Sequence, residues 1–199
     1  MAAGMLLVSG VRLRVLFTTV GACLVAGLLI WSLGMKPYQR QRVLTFMAPD
    51  TDPLGAGYQV RQSKIAVGSG ELAGRGYGQG TQSQLRFLPA RHTDFILAVL
   101  AEEWGFLGVG AVLLLYAAYL ANVAAVALRA QDRAGILLVG GLGSTFAFDV
   151  LYNSAMVIGL VPVTGIPLPF LSYGGSFTLL NFIGLGLILG VDFRRFANR

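Results

Sequence analysis

Long uncharged apolar runs alternate with polar connections along this chain. Residues 15–35 carry no charge between Arg14 and Lys36, a run of 21 residues. That is long enough to cross a bilayer core of about 30 Å. A second run, residues 104–128, holds 25 uncharged residues and extends outward through residues 95–101. A third, residues 134–160, is interrupted only by Asp149, and a fourth covers residues 173–191. The pattern predicts an all-α polytopic bundle with four membrane helices, near 15–35, 95–128, 134–160 and 173–192. The second helix would measure roughly 51 Å at 1.5 Å per residue. It exceeds the bilayer core, so it must tilt or project past the surface. Its projecting end would carry Asp94.

Composition agrees with this class. The chain is 55% hydrophobic and 12% charged, with a mean hydropathy of +0.70. Its 27 glycines suit close helix approach in a membrane. The single cysteine, Cys23, excludes an internal disulfide and argues against metal or redox chemistry. A cleaved signal peptide is not expected, because the first apolar run is too long and no small-residue cleavage pattern follows it. No heptad array, internal repeat or low-complexity tract is present, and nothing points to nucleic acid as a partner.

Charge sets the orientation. Arg12, Arg14, Arg129, Arg133, Arg194, Arg195 and Arg199 fall on one side, while the short connection 161–172 on the other side has no Lys or Arg. The positive-inside rule weighs short loops most heavily. Both termini are therefore expected in the cytoplasm and the long loop 36–93 outside. That loop carries eight Lys and Arg against Asp50, Asp52 and Glu71. Such an excess suits anionic lipid headgroups or a pyrophosphate-bearing substrate.

Within the loop, residues 36–52 suit a short helix lying on the surface. Gln59, Arg61 and Lys64 recur at helical spacing over residues 58–67. Six glycines between Gly68 and Gly80 predict tight turns. Residues 161–176 are apolar, yet Pro162, Pro167 and Pro169 forbid a continuous helix. Irregular backbone at membrane depth is tolerated only within protein or beside a wet cavity. This segment should line a cavity at the outer face or re-enter the membrane there.

The densest candidate chemistry is Arg91-His92-Thr93-Asp94-Phe95, where the polar loop meets the second span. Asp94 has two open roles: Thr93 or Asp94 caps the helix starting at Phe95, or Asp94 is a general base with a pKa set by partial burial and nearby cations. His92, the sole histidine, is more often structural than a ligand. Glu102 and Glu103 lie about two turns deeper, where a charge needs a partner; one is expected to pair with a basic group and the other to face a cavity. Asp149 reads as a buried paired residue or part of a polar path. Ser172, Tyr173 and Ser176 are candidates for packing or cavity lining.

Three ordered blocks carry a family resemblance. They are Gln62-Ser63-Lys64-Ile65-Ala66-Val67-Gly68-Ser69-Gly70 continuing to Gly80-Thr81-Gln82-Ser83-Gln84; Arg91-His92-Thr93-Asp94-Phe95-Ile96 with Ala101-Glu102-Glu103-Trp104-Gly105; and Pro162 to Ser176. With these blocks the chain resembles the SEDS family (shape, elongation, division and sporulation). The blocks look most like the elongation-type, RodA-like members. Ala90 stands where Glu is usual and Phe177 where Ser is usual. Family members carry more helices than this chain, which resembles only their C-terminal part.

The resemblance implies a peptidoglycan glycosyltransferase. It would polymerise lipid II outside the bacterial cytoplasmic membrane, with a class B penicillin-binding protein and membrane lipids as partners. Asp94 matches the family's essential loop aspartate and would be the catalytic base. Lys64, Arg75, Arg86 and Arg91 become candidate contacts to pyrophosphate or sugar. Gln82 and Gln84 become candidate contacts to sugar or peptide, with His92, Ser172 and Ser176 beside them. A divalent cation such as magnesium would bridge Asp94 and the pyrophosphate, although the sequence shows no dedicated metal cage. Two other readings compete: a flippase for lipid-linked precursors, and a truncated scaffold that only binds a partner's membrane helix.

Overall fold

The computed structural model describes residue 5 and residues 13–29, 34, 36–48, 55–85 and 87–197. The main helices among them are α1 (Leu13–Leu29), α2 (Pro37–Met47), α3 (Ala56–Ser69), the single turn α4 (Thr81–Gln84), α5 (Ile96–Arg129), α6 (Arg133–Val157) and α7 (Gly175–Ala197). No strand occurs among the described residues. Three helices, α5, α6 and α7, are long and apolar enough to cross a membrane. The span expected over 15–35 is represented by the shorter α1, and residues 30–33 and 35 lie outside the described residues. The described structure thus carries three full-length spans where four were expected.

The loop helices follow from local sequence. Pro37 starts α2, where its fixed φ fits and its missing N–H is no loss. The Gln39 side chain reaches back to accept from the Lys36 amide at 3.1 Å. Helix α3 realises the spacing of Gln59, Arg61 and Lys64 and ends at Gly70. Its buried Ser63 donates to the Val157 carbonyl at 2.7 Å, tying the loop to the end of α6.

Helices α5 and α6 form the most extensive pair. Small residues on α6 let them approach: a Cβ on the buried Gly143 would lie 2.8 Å from Val123 Cγ1 of α5. The main core lies at the end of the bundle next to the loop helices. Phe95, Leu97, Ala98 and Tyr116 pack there on Phe146, Val150, Met156 and Val157, with Leu88 and Leu168 closing from the loops. A smaller core of Val123, Val139 and Ile188 joins α5, α6 and α7 farther along. Many large apolar residues on the spans stay exposed, Leu114, Leu115, Leu151 and Leu180 among them. Such faces suit lipid or neighbouring helices.

Helix α5 is broken. Gly105 has φ 66° and ψ −164°, outside any helical region. The Gly-rich loop fills the gap. Arg75 and Gly76 amides donate to the Glu102 and Glu103 carbonyls at 2.9 and 3.0 Å. Beyond the break, the Phe106 and Leu107 amides donate to the Glu71 and Leu72 carbonyls at 2.9 and 3.1 Å. Groups orphaned by the break are thereby satisfied. The fit requires glycine on both sides, since a Cβ on Gly105 would strike the Gly74 nitrogen and the Leu72 carbonyl. The expected 34-residue helix therefore divides into a stub, residues 96–104, and a span, residues 106–129. The span is about 36 Å long at 1.5 Å per residue, close to a bilayer core.

Candidate functional site

Asp94 sits in the turn that precedes α5. The Thr93 and Phe95 amides both donate to the Ala90 carbonyl at 3.2 Å, and the wholly buried Phe95 pins the turn to the core. Phe95 itself occupies the cap position of α5, with no side-chain cap hydrogen bond. Neither Thr93 nor Asp94 caps the helix, so that sequence expectation is set aside. The Thr93 hydroxyl turns back toward the Ala90 carbonyl at 3.4 Å. Asp94 is half-buried. Its carbonyl accepts from Asn153 Nδ2 at 2.8 Å, and the same amide group donates to the Ile166 carbonyl at 2.9 Å. Its carboxylate faces Gly165, where a Cβ would lie 3.5 Å from Oδ2. No described residue donates a hydrogen bond to that carboxylate.

The Pro-rich connection, residues 158–174, folds over this turn. Ser172 Oγ donates to the Thr93 carbonyl at 2.5 Å and accepts from the Leu168 amide at 2.7 Å. The Tyr173 amide donates to the His92 carbonyl at 2.8 Å. Two tyrosines satisfy proline carbonyls: Tyr116 donates to Pro169 at 2.6 Å, and Tyr152 to Pro162 at 3.1 Å. Phe170 adopts a left-handed φ of 62°. Its ring is fixed among Tyr119, Phe146 and Phe182, with centroids 5.4 to 6.2 Å apart. An open cavity of about 790 Å³ lies between this segment, the start of α5 and the start of α7. His92 and Thr178 give it polar groups, while Ile96, Leu171, Leu179 and Phe182 give it apolar walls. The expectation that this segment borders a cavity agrees with that arrangement.

The remaining candidates divide. Arg91 bridges elements: Nη1 donates to the Ser83 carbonyl and Nε donates to His92 Nε2 at 2.9 Å. Arg75 donates from Nε to the Ser69 carbonyl and from Nη1 to Thr81 Oγ1, both at 3.2 Å. Gln82 is half-buried with Oε1 lacking a partner among the described residues, and Gln84 is exposed. Ser176 is exposed on the first turn of α7. Ser172 lines the large cavity, with its hydroxyl engaged in both bonds described above. Lys64 stands apart: with Arg42 and Thr45 it lines a separate cavity of about 130 Å³ against Pro162 and Val163. Arg86 lies outside the described residues.

The sequence reading paired one of Glu102 and Glu103 with a basic group. Instead, the wholly buried Glu102 accepts from the Gln82 and Ser83 amides at 2.8 and 3.1 Å. Glu103 borders a small cavity with Tyr77 and Trp104. Asp149 lines a cavity of about 260 Å³ with Thr145 and Asn181. Asn153 went unnoticed in the sequence, although a lone amide in an apolar span was a usable signal. Among the described residues no group of three or more His, Cys, Asp or Glu side chains could hold a metal ion.

Asp94 lies two residues from the cavity-lining His92 but is not itself among the residues that line these four cavities. The family model FTSW_RODA_SPOVE, described as "Cell cycle protein", matches residues 1–196. The chain belongs to this family. Peptidoglycan glycosyltransferase MrdB of Escherichia coli (strain K12) is 48% identical over 167 residues, 84% of this chain and 45% of that protein. Peptidoglycan glycosyltransferase RodA of Treponema pallidum is 42% identical over 161 residues, 81% of this chain and 37% of the relative. Stage V sporulation protein E of Bacillus subtilis is 45% identical over 156 residues, 78% and 42% of the two chains. A solved chain from "Structural coordination of polymerization and crosslinking by a peptidoglycan synthase complex" superposes with a TM-score of 0.77 at 35% identity. It covers 96% of this chain and 52% of its own. This FtsW/RodA/SpoVE-family chain thus spans about half the length of the curated relatives it matches.

Proposed function

We propose that this chain contributes the base-bearing part of a peptidoglycan glycosyltransferase of the elongation type. The observation that carries the reading is Asp94: its backbone is held by Asn153, and its carboxylate has no donor among the described residues. Such a group is open to contact from a substrate hydroxyl. In the proposed reaction the acceptor sugar's 4-hydroxyl oxygen attacks C1 of the donor sugar of lipid II. Asp94 takes the hydroxyl proton, the C1–O bond to undecaprenyl pyrophosphate breaks, and configuration at C1 inverts. Arg91 and His92 lie next to Asp94 in the chain and supply polar contacts to sugar or pyrophosphate. Arg75, Gln82, Gln84 and Ser176 extend that surface, Ser172 shapes it, Lys64 serves a more distant part of the substrate, and Arg86 is kept as a candidate contact on its place in the sequence alone. A divalent cation such as magnesium, when bound, would offset the pyrophosphate's charge, and Asp94 is the residue that would help hold it.

The same reading places the chain in a bacterial cytoplasmic membrane with both termini inside. Loop 36–93 would then face the outer surface, where a class B penicillin-binding protein would crosslink the product strands.

The test is polymerisation of fluorescent lipid II in detergent by the purified chain, alone and supplemented with the N-terminal helices of its relatives. Asp94→Ala is the control. Polymer that depends on Asp94 supports the reading. No polymer from any folded sample would move the assignment to a scaffold or a transporter, since a flippase needs no external base.

A further inference from the structure

Glu102 is wholly buried near the outer end of α5. A carboxylate in such a place is stable only with close polar partners. Its partners are the opening N–H groups of α4. One carboxylate oxygen accepts from the Gln82 amide at 2.8 Å and from Thr81 Oγ1 at 3.3 Å, and the other from the Ser83 amide at 3.1 Å. The residue at the cap position of α4 is Gly80, which has no side chain to satisfy those donors. A side chain there would not fit either, since a Cβ on Gly80 would strike the Glu102 carboxylate and Ser83 Oγ. The cap missing from the loop is therefore delivered by the membrane helix.

The turn held this way reaches the neighbourhood of Asp94. While the Ser83 amide donates to Glu102, the Ser83 carbonyl accepts from Arg91 Nη1, and Arg91 Nε donates to His92 Nε2 at 2.9 Å. One continuous chain of hydrogen bonds runs from Glu102 through Ser83 and Arg91 to His92, which lines the large cavity.

We propose that Glu102 is a positioning residue for the substrate surface beside Asp94, a proposal that rests on the glycosyltransferase reading above. Glu102 touches no reacting atom. It fixes the 80–84 turn, and through the Ser83 carbonyl it fixes Arg91 and His92 where the lipid-linked sugar pyrophosphate binds. Glutamine in its place keeps the volume but turns an amide N–H toward one of two backbone donors, so the turn is released.

The experiment measures lipid II polymerisation at varied substrate concentration, in whichever preparation is active. Glu102→Gln should raise KM for lipid II roughly tenfold or more, the scale of one lost charge-assisted hydrogen bond. Its kcat should stay within about threefold of the parent, as expected when binding rather than chemistry is lost. Glu102→Asp keeps the charge and should recover part of the loss. The double variant Glu102→Gln/Arg91→Ala should be no worse than the poorer single variant, because both break one chain. A loss confined to kcat and thermal stability with KM unchanged would overturn the proposal, and so would independent, multiplying effects of the two substitutions. Hydrogen exchange at the Gln82 and Ser83 amides separates this failure from that of the underlying reading. If the parent protein makes no polymer, the glycosyltransferase reading falls. Faster exchange at those amides in Glu102→Gln still supports the cap, and unchanged exchange overturns it.

Discussion

Asp94 is anchored through its carbonyl, and its carboxylate has no donor among the described residues. These two properties give separable consequences. Asp94→Asn should lower lipid II polymerisation by roughly 10²–10⁴-fold, the usual contribution of a general base. The melting temperature in detergent should not move, because no described residue donates to the carboxylate. A rate within a few-fold of the parent would remove Asp94 from the role of base. The grouping of Arg91, His92 and Asp94 was legible in the sequence because they are polar residues concentrated at the mouth of an apolar span. The role of Glu102 was not. A buried charge announces that it needs a partner, but the partner here is a pair of backbone amides 19 and 20 residues earlier in the chain. Side-chain patterns carry no trace of backbone donors, so the expectation defaulted to a cation. Ser172 is similar: its position after the prolines was readable, but its double hydrogen bond to Thr93 and Leu168 depends on how the segment folds back.

At the scale of elements, residues 95–128 were expected to be helical, and α5 runs over Ile96–Arg129. The break at Gly105 was hidden. A glycine within an apolar helix reads the same whether it is helical or kinked, and what decides is the docking of residues 71–76 across it. Gly105→Ala tests that account. Alanine must adopt φ near 66° and its Cβ must displace the Gly74 nitrogen and the Leu72 carbonyl. The left-handed conformation alone costs about 1–3 kcal/mol, and the overlap adds to it. Thermal unfolding in detergent should show a clear loss of stability. Substituting Gly110, where a Cβ meets nothing within 4 Å, should not. A Gly105→Ala protein as stable as the parent would show that the loop does not depend on the break. The Pro-rich connection was readable as non-helical because proline sets a hard local rule. Its course was not, because tyrosine hydroxyls from α5 and α6 hold it in place.

For the whole molecule, the apolar runs fixed the class and located three spans to within a few residues, whereas the first run corresponds to a shorter helix among the described residues. Charge placement predicts that loop 36–93 lies outside the cell. Tyr77 is 84% exposed on that loop. A Tyr77→Cys protein made in a Cys23→Ser background should react with a membrane-impermeant maleimide in intact cells. Labelling only after the membrane is opened would invert the topology and remove an extracellular reaction from consideration. The discontinuity in α5 also bears on how the protein lives with its lipids. Bilayers vary in thickness, and a continuous span answers by changing tilt, swinging whatever is attached to its end. Here residues 96–104 take their direction from the loop bonded across Gly105 and from the core around Phe95. The same loop is bonded to the span beyond the break, and Tyr116 of the span shares the core with Phe95, so the broken helix is splinted and a change of tilt would carry the Asp94 turn with it.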